Sequence, residues 1–270
     1  MALAYDLTGA GSPGSALVLL HPLGADRRMW DSIVGSLGER RQVIALDLPG
    51  FGESPPLTGE APTPRALAGA VAAQLESMGV TRPHVVGNSL GGWVGLELGL
   101  SGFAERVTAI APAGLWPEPL VPKHGIAHRL GRALLPVIGR FAATPGGRSL
   151  LLRGAAAHPR RVPGAQAAHL VRAYALAPGF TAVNDAMRSN RFEGLERIRC
   201  PVTLVWPDHD RLIQRPVWVP DRIDNVVLSD SGHIPVWDAP NALVEIMLSE
   251  PRANGSRSAA TGSPANRVHV

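Results

Sequence analysis

The chain has 270 residues, 45% hydrophobic and 18% charged, the balance of a globular protein with one large α/β core or a core carrying an inserted subdomain. The formal charge is +4 and Lys123 is the sole lysine; with no Lys/Arg block and no basic stripe interleaved with aromatics, nucleic acid is not an expected partner. Cys200 is the only cysteine, which excludes an intrachain disulfide and a cysteine metal site, and the absence of a leader pattern or of a run near the ~18 apolar residues of a span points to a cytoplasmic protein with no membrane partner.

The first strong element is the apolar run at 16–21, a buried strand closed by His21-Pro22-Leu23-Gly24. It is too short for a helix and is bounded by turn residues. Residues 27–37 then place Met29, Trp30, Ile33, Val34 and Leu37 at helical spacing, and 43–46 is a second buried strand followed by a Gly/Pro loop. Residues 64–78 repeat the helical period, with Pro64 in the first turn, where its missing N–H costs nothing. Within 84–100 a short apolar strand (Val85, Val86) meets a sharp turn and a helical pattern, and a strand at 106–112 follows. Alternating strand and helix argues for a mostly parallel, doubly wound sheet covered on both faces.

The alternation stops at Ala113. From 113 to 191 the composition is Arg/Ala/Leu/Pro/Gly, with helical stretches at 126–138 and 164–176 and no convincing strand. This segment is expected to be a helical cap inserted in a core formed by 1–112 and 192–249. Strands resume at 200–206 and 225–229, a last helix is expected at 240–248, and the tail 250–270 is expected to be disordered. Cys200, beside the 200–206 strand, reads as a core thiol.

The chemistry centres on Gly87-Asn88-Ser89-Leu90-Gly91, which fits G-x-S-x-G between a strand and a helix. A serine in so tight a turn takes a strained backbone angle, and glycines two residues to either side remove the collisions that side chains would make. The turn also aims the first amides of the helix at the space before the hydroxyl.

A nucleophilic serine needs a base and an acid at the same sheet edge, where loops after parallel strands line the crevice. His233 follows the last predicted strand and is the expected base. His209, between two acids, is a weaker rival, and His124, His128, His158 and His169 lie in the cap. Asp208 and Asp210 both follow the 200–206 strand; Asp210 is the expected acid, Asp208 is expected to fix the turn through Asx-type bonds, and Glu118 is a distant third candidate.

The order Ser89, Asp210, His233 is that of the α/β-hydrolases, and the sequence resembles that superfamily over roughly 16–240. Four blocks carry the resemblance: 21–24, 47–54, 87–93, and the pair 206–213 and 231–240. It implies an oxyanion hole from the N–H groups of Leu23 and Leu90, and no cofactor or metal. The chain departs from the family pattern at Pro22 and Pro207, where glycine is usual, and at the prolines 216 and 220, which shorten or break the helix expected after the acid. His21, Trp93, Trp116 and Trp206 are substrate-pocket candidates, with packing the alternative for the tryptophans and a structural turn the alternative for His21. The cap arginines 129, 132, 140, 153, 160 and 161 read as a solvated face before they read as a site for an acidic substrate.

The early block 21–30 looks like that of enol-lactone hydrolases, while the elbow resembles that of carbon–carbon hydrolases of ring-cleavage products. Those hydrolases carry Trp after the catalytic His where this chain has Ile234. The expected partner is therefore a small-molecule ester or lactone. Carbon–carbon hydrolysis is the enzymatic alternative, cofactor-free haloperoxidases share the triad, and a silent binding protein on the same fold is the non-enzymatic reading. Epoxide hydrolases and haloalkane dehalogenases use Asp where this chain has Ser89.

Overall fold

The computed structural model describes residues 1–10, 16–121 and 131–250. Seven strands form one sheet: β1 Tyr5–Thr8, β2 Leu17–Leu20, β3 Val43–Leu46, β4 His84–Asn88, β5 Arg106–Ile110, β6 Val202–Pro207 and β7 Asp224–Leu228, in the order β1-β3-β2-β4-β5-β6-β7. Only the β1–β3 pair is antiparallel. Every residue of β2 through β6 is buried, which is why β2 and β3 read as unbroken apolar runs; β4, β5 and β6 bury polar residues such as Asn88, Thr108 and Thr203 among their apolar ones. β1 was not foreseen: it is a short edge strand of mostly exposed residues, so no buried face marks it in the sequence.

The helices α1 Asp31–Gly38, α2 Pro64–Ser77, α3 Leu90–Leu100 and α8 Pro240–Leu248 flank this sheet. Thr63 caps α2 by accepting from the Ala66 amide at 3.2 Å, with Pro64 as its first residue. α3 follows the elbow and is buried almost all round, as befits a helix at the centre of the molecule.

Between β5 and β6 the described elements are helical: α4 Leu135–Ala143, α5 Pro145–Leu151, α6 Gly164–Leu176 and α7 Phe180–Arg188. The predicted helix at 126–138 falls partly outside the described residues, as do His124, His128, Arg129 and the tail beyond 250. From β6 to β7 no helix forms. Pro216 and Pro220 each lack the N–H a helix would use. No helix among the described residues is long and apolar enough to cross a membrane.

Two histidines are part of this core. His84 opens β4, is 1% exposed, and sets Nε2 2.9 Å from the Thr108 hydroxyl on β5. Burial, reinforced by Arg106 and Arg41, holds its pKa well below the ordinary histidine value. His21 is also lowered, again chiefly by burial. Each therefore binds a proton less readily in the folded chain than in the unfolded one, where its ordinary value is about 6.5. Their contribution is therefore flat above that pH and is lost as pH falls below it, at up to about 1.4 kcal/mol per pH unit for each group. The melting temperature is expected to drop between pH 7 and pH 5, and more shallowly in His84→Gln. Equal slopes for the two proteins would refute the assignment.

Candidate active site

Ser89 joins β4 to α3 with φ 54° and ψ −111°, a conformation that costs a non-glycine residue about 1–3 kcal/mol. Neighbouring backbone holds it there. The Ser89 amide donates to the Ile110 carbonyl at 2.9 Å, and its own carbonyl accepts from the amides of Trp93 and Ala113 at 3.0 Å each. A Cβ on Gly87 would overlap the Gly91 carbonyl, and one on Gly91 would overlap the Leu20 carbonyl. The two glycines are thus a packing requirement of the elbow.

Asp210 and His233 follow the carboxyl ends of β6 and β7. His233 Nδ1 lies 2.8 Å from Asp210 Oδ2, with the two side chains 6% and 5% exposed. The second Asp210 oxygen accepts from the amides of Leu212 and Ile213 at 2.7 and 3.0 Å. The local Asx-type bonds foreseen for Asp208 therefore belong to Asp210. Asp208 instead accepts from the Ser231 amide at 3.1 Å, which ties the acid loop to the histidine loop. A carboxylate at Nδ1 fixes the proton on that nitrogen and leaves Nε2 free to accept. Asn88 links the elbow to the same loop: its amide donates to the His233 carbonyl at 3.0 Å and to the Ile110 carbonyl at 3.1 Å. Among the described residues no hydrogen bond joins the Ser89 hydroxyl to His233 Nε2; bonds of this kind commonly tighten only when substrate binds. Both residues are nearly closed off from solvent, at 7% and 4% exposure.

β2 runs beside β4, and this places the 21–24 turn against the elbow. The Ala25 amide donates to the Pro22 carbonyl at 3.1 Å, and Gly24 has φ +78°. Leu23 is therefore the second residue of a tight turn of the type that favours glycine at its third position, and its N–H is not spent on the turn. Leu90, first residue of α3, has no intrahelical acceptor for its N–H either.

The profile of the Alpha/beta hydrolase family matches residues 17–246. The chain belongs to that family. It is 30% identical over 204 residues to an epoxide hydrolase of Mycobacterium tuberculosis, covering 68% of this chain and 92% of the relative. It is 45% identical over 98 residues, 36% of each chain, to a pimeloyl-(acyl-carrier protein) methyl ester esterase of Aeromonas hydrophila. In fold it is similar to the enol-lactonase of Burkholderia xenovorans, with TM-score 0.69 at 20% identity over 90% of this chain and 94% of that one. The protein is thus an alpha/beta hydrolase and an enzyme.

Several sequence candidates have other occupations in the hydrolase. His21 is completely buried, with Nδ1 2.8 Å from the Pro22 carbonyl and Nε2 accepting from the Leu48 amide at 3.0 Å. Both ring nitrogens are used, so His21 shapes the turn and is withdrawn as a pocket residue. Trp206 is likewise a core residue, 4% exposed and donating to Asn225 Oδ1 at 2.6 Å. Trp93, 2% exposed, stacks edge-on against Trp116 at 5.7 Å and donates to Glu97 at 3.0 Å. The Trp116 indole donates to the Asn190 carbonyl at 2.9 Å. This pair packs the 113–191 segment onto α3, the packing alternative weighed for these tryptophans. His209 and Glu118 are exposed. A cavity of about 230 Å³ opens between α6 and the 26–31 segment, lined by Asp26, Met29, His169 and Trp237 among others, and it contains neither Ser89 nor His233. No group of three or more His, Cys, Asp or Glu suited to a metal occurs among the described residues.

Sequence reasoning passed over Asp238. It is 8% exposed and accepts from the amides of Gly232 and Ala157 at one oxygen, 2.9 and 2.8 Å, and of His158 at the other, 2.9 Å. The Ile234 amide adds a bond to the Ala155 carbonyl at 2.7 Å. The histidine loop is therefore clamped to the segment between α5 and α6. An aspartate five residues after a histidine carries no motif, and only its partners reveal it. Asp238→Ala strands three amides and is expected to lower stability by about 3 kcal/mol with a parallel loss of turnover. Urea denaturation checks the first, and a midpoint within experimental error of wild type would refute it. Asp26 has a related role: its carboxylate lies 2.6 Å from His169 Nε2 on α6. Burial opposes its ionisation, but the His169 bond and charge hold its pKa below the ordinary carboxylate value.

Proposed function

We propose that the hydrolase cleaves a carboxylic ester or lactone through an acyl-enzyme on Ser89, with His233 as general base and acid and Asp210 as its orienting carboxylate. The observation that carries this reading is the buried Asp210–His233 hydrogen bond at 2.8 Å, on a loop bonded through Asn88 to the strained elbow. His233 Nε2 takes the Ser89 proton as Oγ bonds to the acyl carbon. The resulting oxyanion is held by the N–H groups of Leu23 and Leu90, each contributing roughly 10² to 10³ in rate. The carbon–oxygen bond to the leaving group then breaks, and that oxygen takes the proton from His233. Water repeats the sequence on the acyl-enzyme and releases the acid and the free serine. The carboxylate balances the imidazolium in surroundings that exclude water, where a charge pair counts for more. No cofactor enters these steps, and the helices between β5 and β6 act as the cap that selects substrate.

The methyl ester esterase and enol-lactonase likenesses support the ester reading. The epoxide hydrolase likeness does not transfer in chemistry. A serine opening an epoxide would form an ether, which triad hydrolysis does not cleave, whereas a carboxylate forms an ester. The test is a panel of short-chain esters, lactones and vinylogous diketones, run beside labelling by a fluorophosphonate probe. Turnover of an ester or lactone with labelled Ser89 is expected. Diketone turnover without any ester or lactone turnover would replace the reading with carbon–carbon hydrolysis. No labelling of wild type would end the serine mechanism.

A further inference from the structure

The positive charge of this protein is concentrated between β5 and β6. Residues 113–191 hold eleven Lys and Arg against two acids, Glu118 and Asp185, a net +9 in a chain whose total is +4. Among the described residues, few of these charges meet a carboxylate. Ion pairs within the described part of this segment reach Arg161, with Asp230, and Arg191, with Glu193. Arg132, Arg140, Arg148, Arg153, Arg160 and Arg172 have no carboxylate within 4.0 Å among the described residues.

The same region exposes apolar side chains in a helical stripe. Leu134, Val137 and Phe141 are spaced three and four apart, at 46%, 66% and 43% exposure, and Leu150 on α5 is 59% exposed. The opposite side of α4 is occupied: Ala142 is fully buried, and Gly139 faces the aliphatic carbons of Arg172 on α6. The stripe is the solvent side of an amphipathic helix. Unpaired arginines belong to the same unit. Arg140 lies in the last turn of α4, Arg148 of α5 donates to the Ala143 carbonyl at the end of α4 at 2.7 Å, and Arg160 donates to Ser149 of α5 at 3.2 Å. An apolar helix face bordered by uncompensated arginines is the arrangement that lies in the interface of a negatively charged bilayer. A protein surface would have to offer both a hydrophobic groove and many carboxylates. An anionic lipid surface offers acyl chains and phosphates together.

We propose that the α4–α5 face docks on anionic phospholipid bilayers, with Leu134, Val137, Phe141 and Leu150 entering the interface and the surrounding arginines meeting the lipid phosphates. The sequence expectation of no membrane partner concerned spanning segments. This contact is peripheral, reversible and independent of the reaction assigned to Ser89.

The experiment is co-sedimentation of the full chain with vesicles of phosphatidylcholine, with and without about 30% phosphatidylglycerol, at low and at physiological salt. Wild type is expected to bind the anionic vesicles and not the neutral ones. Each arginine near an anionic surface is worth a factor of about five in partitioning. Arg140→Glu/Arg160→Glu is therefore expected to weaken binding by more than tenfold, and Val137→Asp/Phe141→Asp by a similar factor with circular dichroism unchanged. Binding that ignores the apolar variant, or no binding to anionic vesicles at low salt, overturns the proposal. So does sedimentation velocity showing a dimer that Val137→Asp/Phe141→Asp dissolves, because the stripe would then be an interface between copies. If both variants misfold, Val137→Ser/Phe141→Ser is read in their place against the same criteria.

Discussion

Ser89→Ala is expected to reduce kcat for the best ester or lactone substrate by roughly 10⁴ to 10⁶ with little change in KM, and to abolish labelling by a fluorophosphonate. In the proposed mechanism Asp210 and His233 act through the serine, so without the hydroxyl the buried pair has no nucleophile to activate and the loss is large. The residual rate would come from the Leu23 and Leu90 amides and from binding alone. The same position predicts an opposite effect on stability. Alanine keeps the side-chain penalty of φ 54°, but glycine removes it. Ser89→Gly is therefore expected to be equally inactive yet more stable than Ser89→Ala by about 1 kcal/mol. Steady-state kinetics and urea denaturation read the two effects separately. A variant retaining more than a tenth of wild-type kcat would remove Ser89 from the chemistry. Equal stabilities for the two variants would mean that the elbow carries no strain.

The contrast between legible and hidden features follows burial and sequence distance. Core strands were legible because β2 to β6 are buried on both faces, which makes β2 and β3 apolar throughout and gives β4, β5 and β6 an apolar majority. The elbow was legible because Gly87 and Gly91 answer close backbone approaches, and a requirement of that kind leaves a local pattern. β1 was hidden because an exposed edge strand need not alternate. Asp238 was hidden because its three partners lie up to 81 residues away. The tryptophans near strand ends were left open between pocket and packing for a similar reason. An aromatic at a strand end is the same letter whether it meets substrate or, as Trp93 does, a second tryptophan from the segment above it. Asn88 belongs with them. Its likeness to carbon–carbon hydrolases points to substrate chemistry, yet its amide is spent on the carbonyls of Ile110 and His233. It is a structural tie between the elbow and the histidine loop and does not by itself favour either reaction.

The choice between the two aspartates of the acid loop turns on hydrogen-bond geometry, and it yields the second large effect. In Asp210→Asn the amides of Leu212 and Ile213, now 2.7 and 3.0 Å from Oδ1, retain the amide oxygen at that position. The side-chain NH2 must then occupy the place of Oδ2 and face His233 Nδ1. A donor there forces Nδ1 to accept and moves the imidazole proton to Nε2, the nitrogen that has to receive the Ser89 proton. The wrong tautomer is expected to lower kcat by about 10⁴, with stability falling by no more than about 3 kcal/mol. Asp208→Asn differs in kind. Its Oδ1 accepts from the Ser231 amide at 3.1 Å, a bond that an asparagine oxygen preserves. The loop holding His233 is thus kept, and kcat is expected to stay within about tenfold of wild type. Comparing kcat for the two variants on one ester substrate decides the assignment. A larger loss in Asp208→Asn than in Asp210→Asn would move the acid role to Asp208 and would require the histidine loop to adopt a different position when substrate is bound.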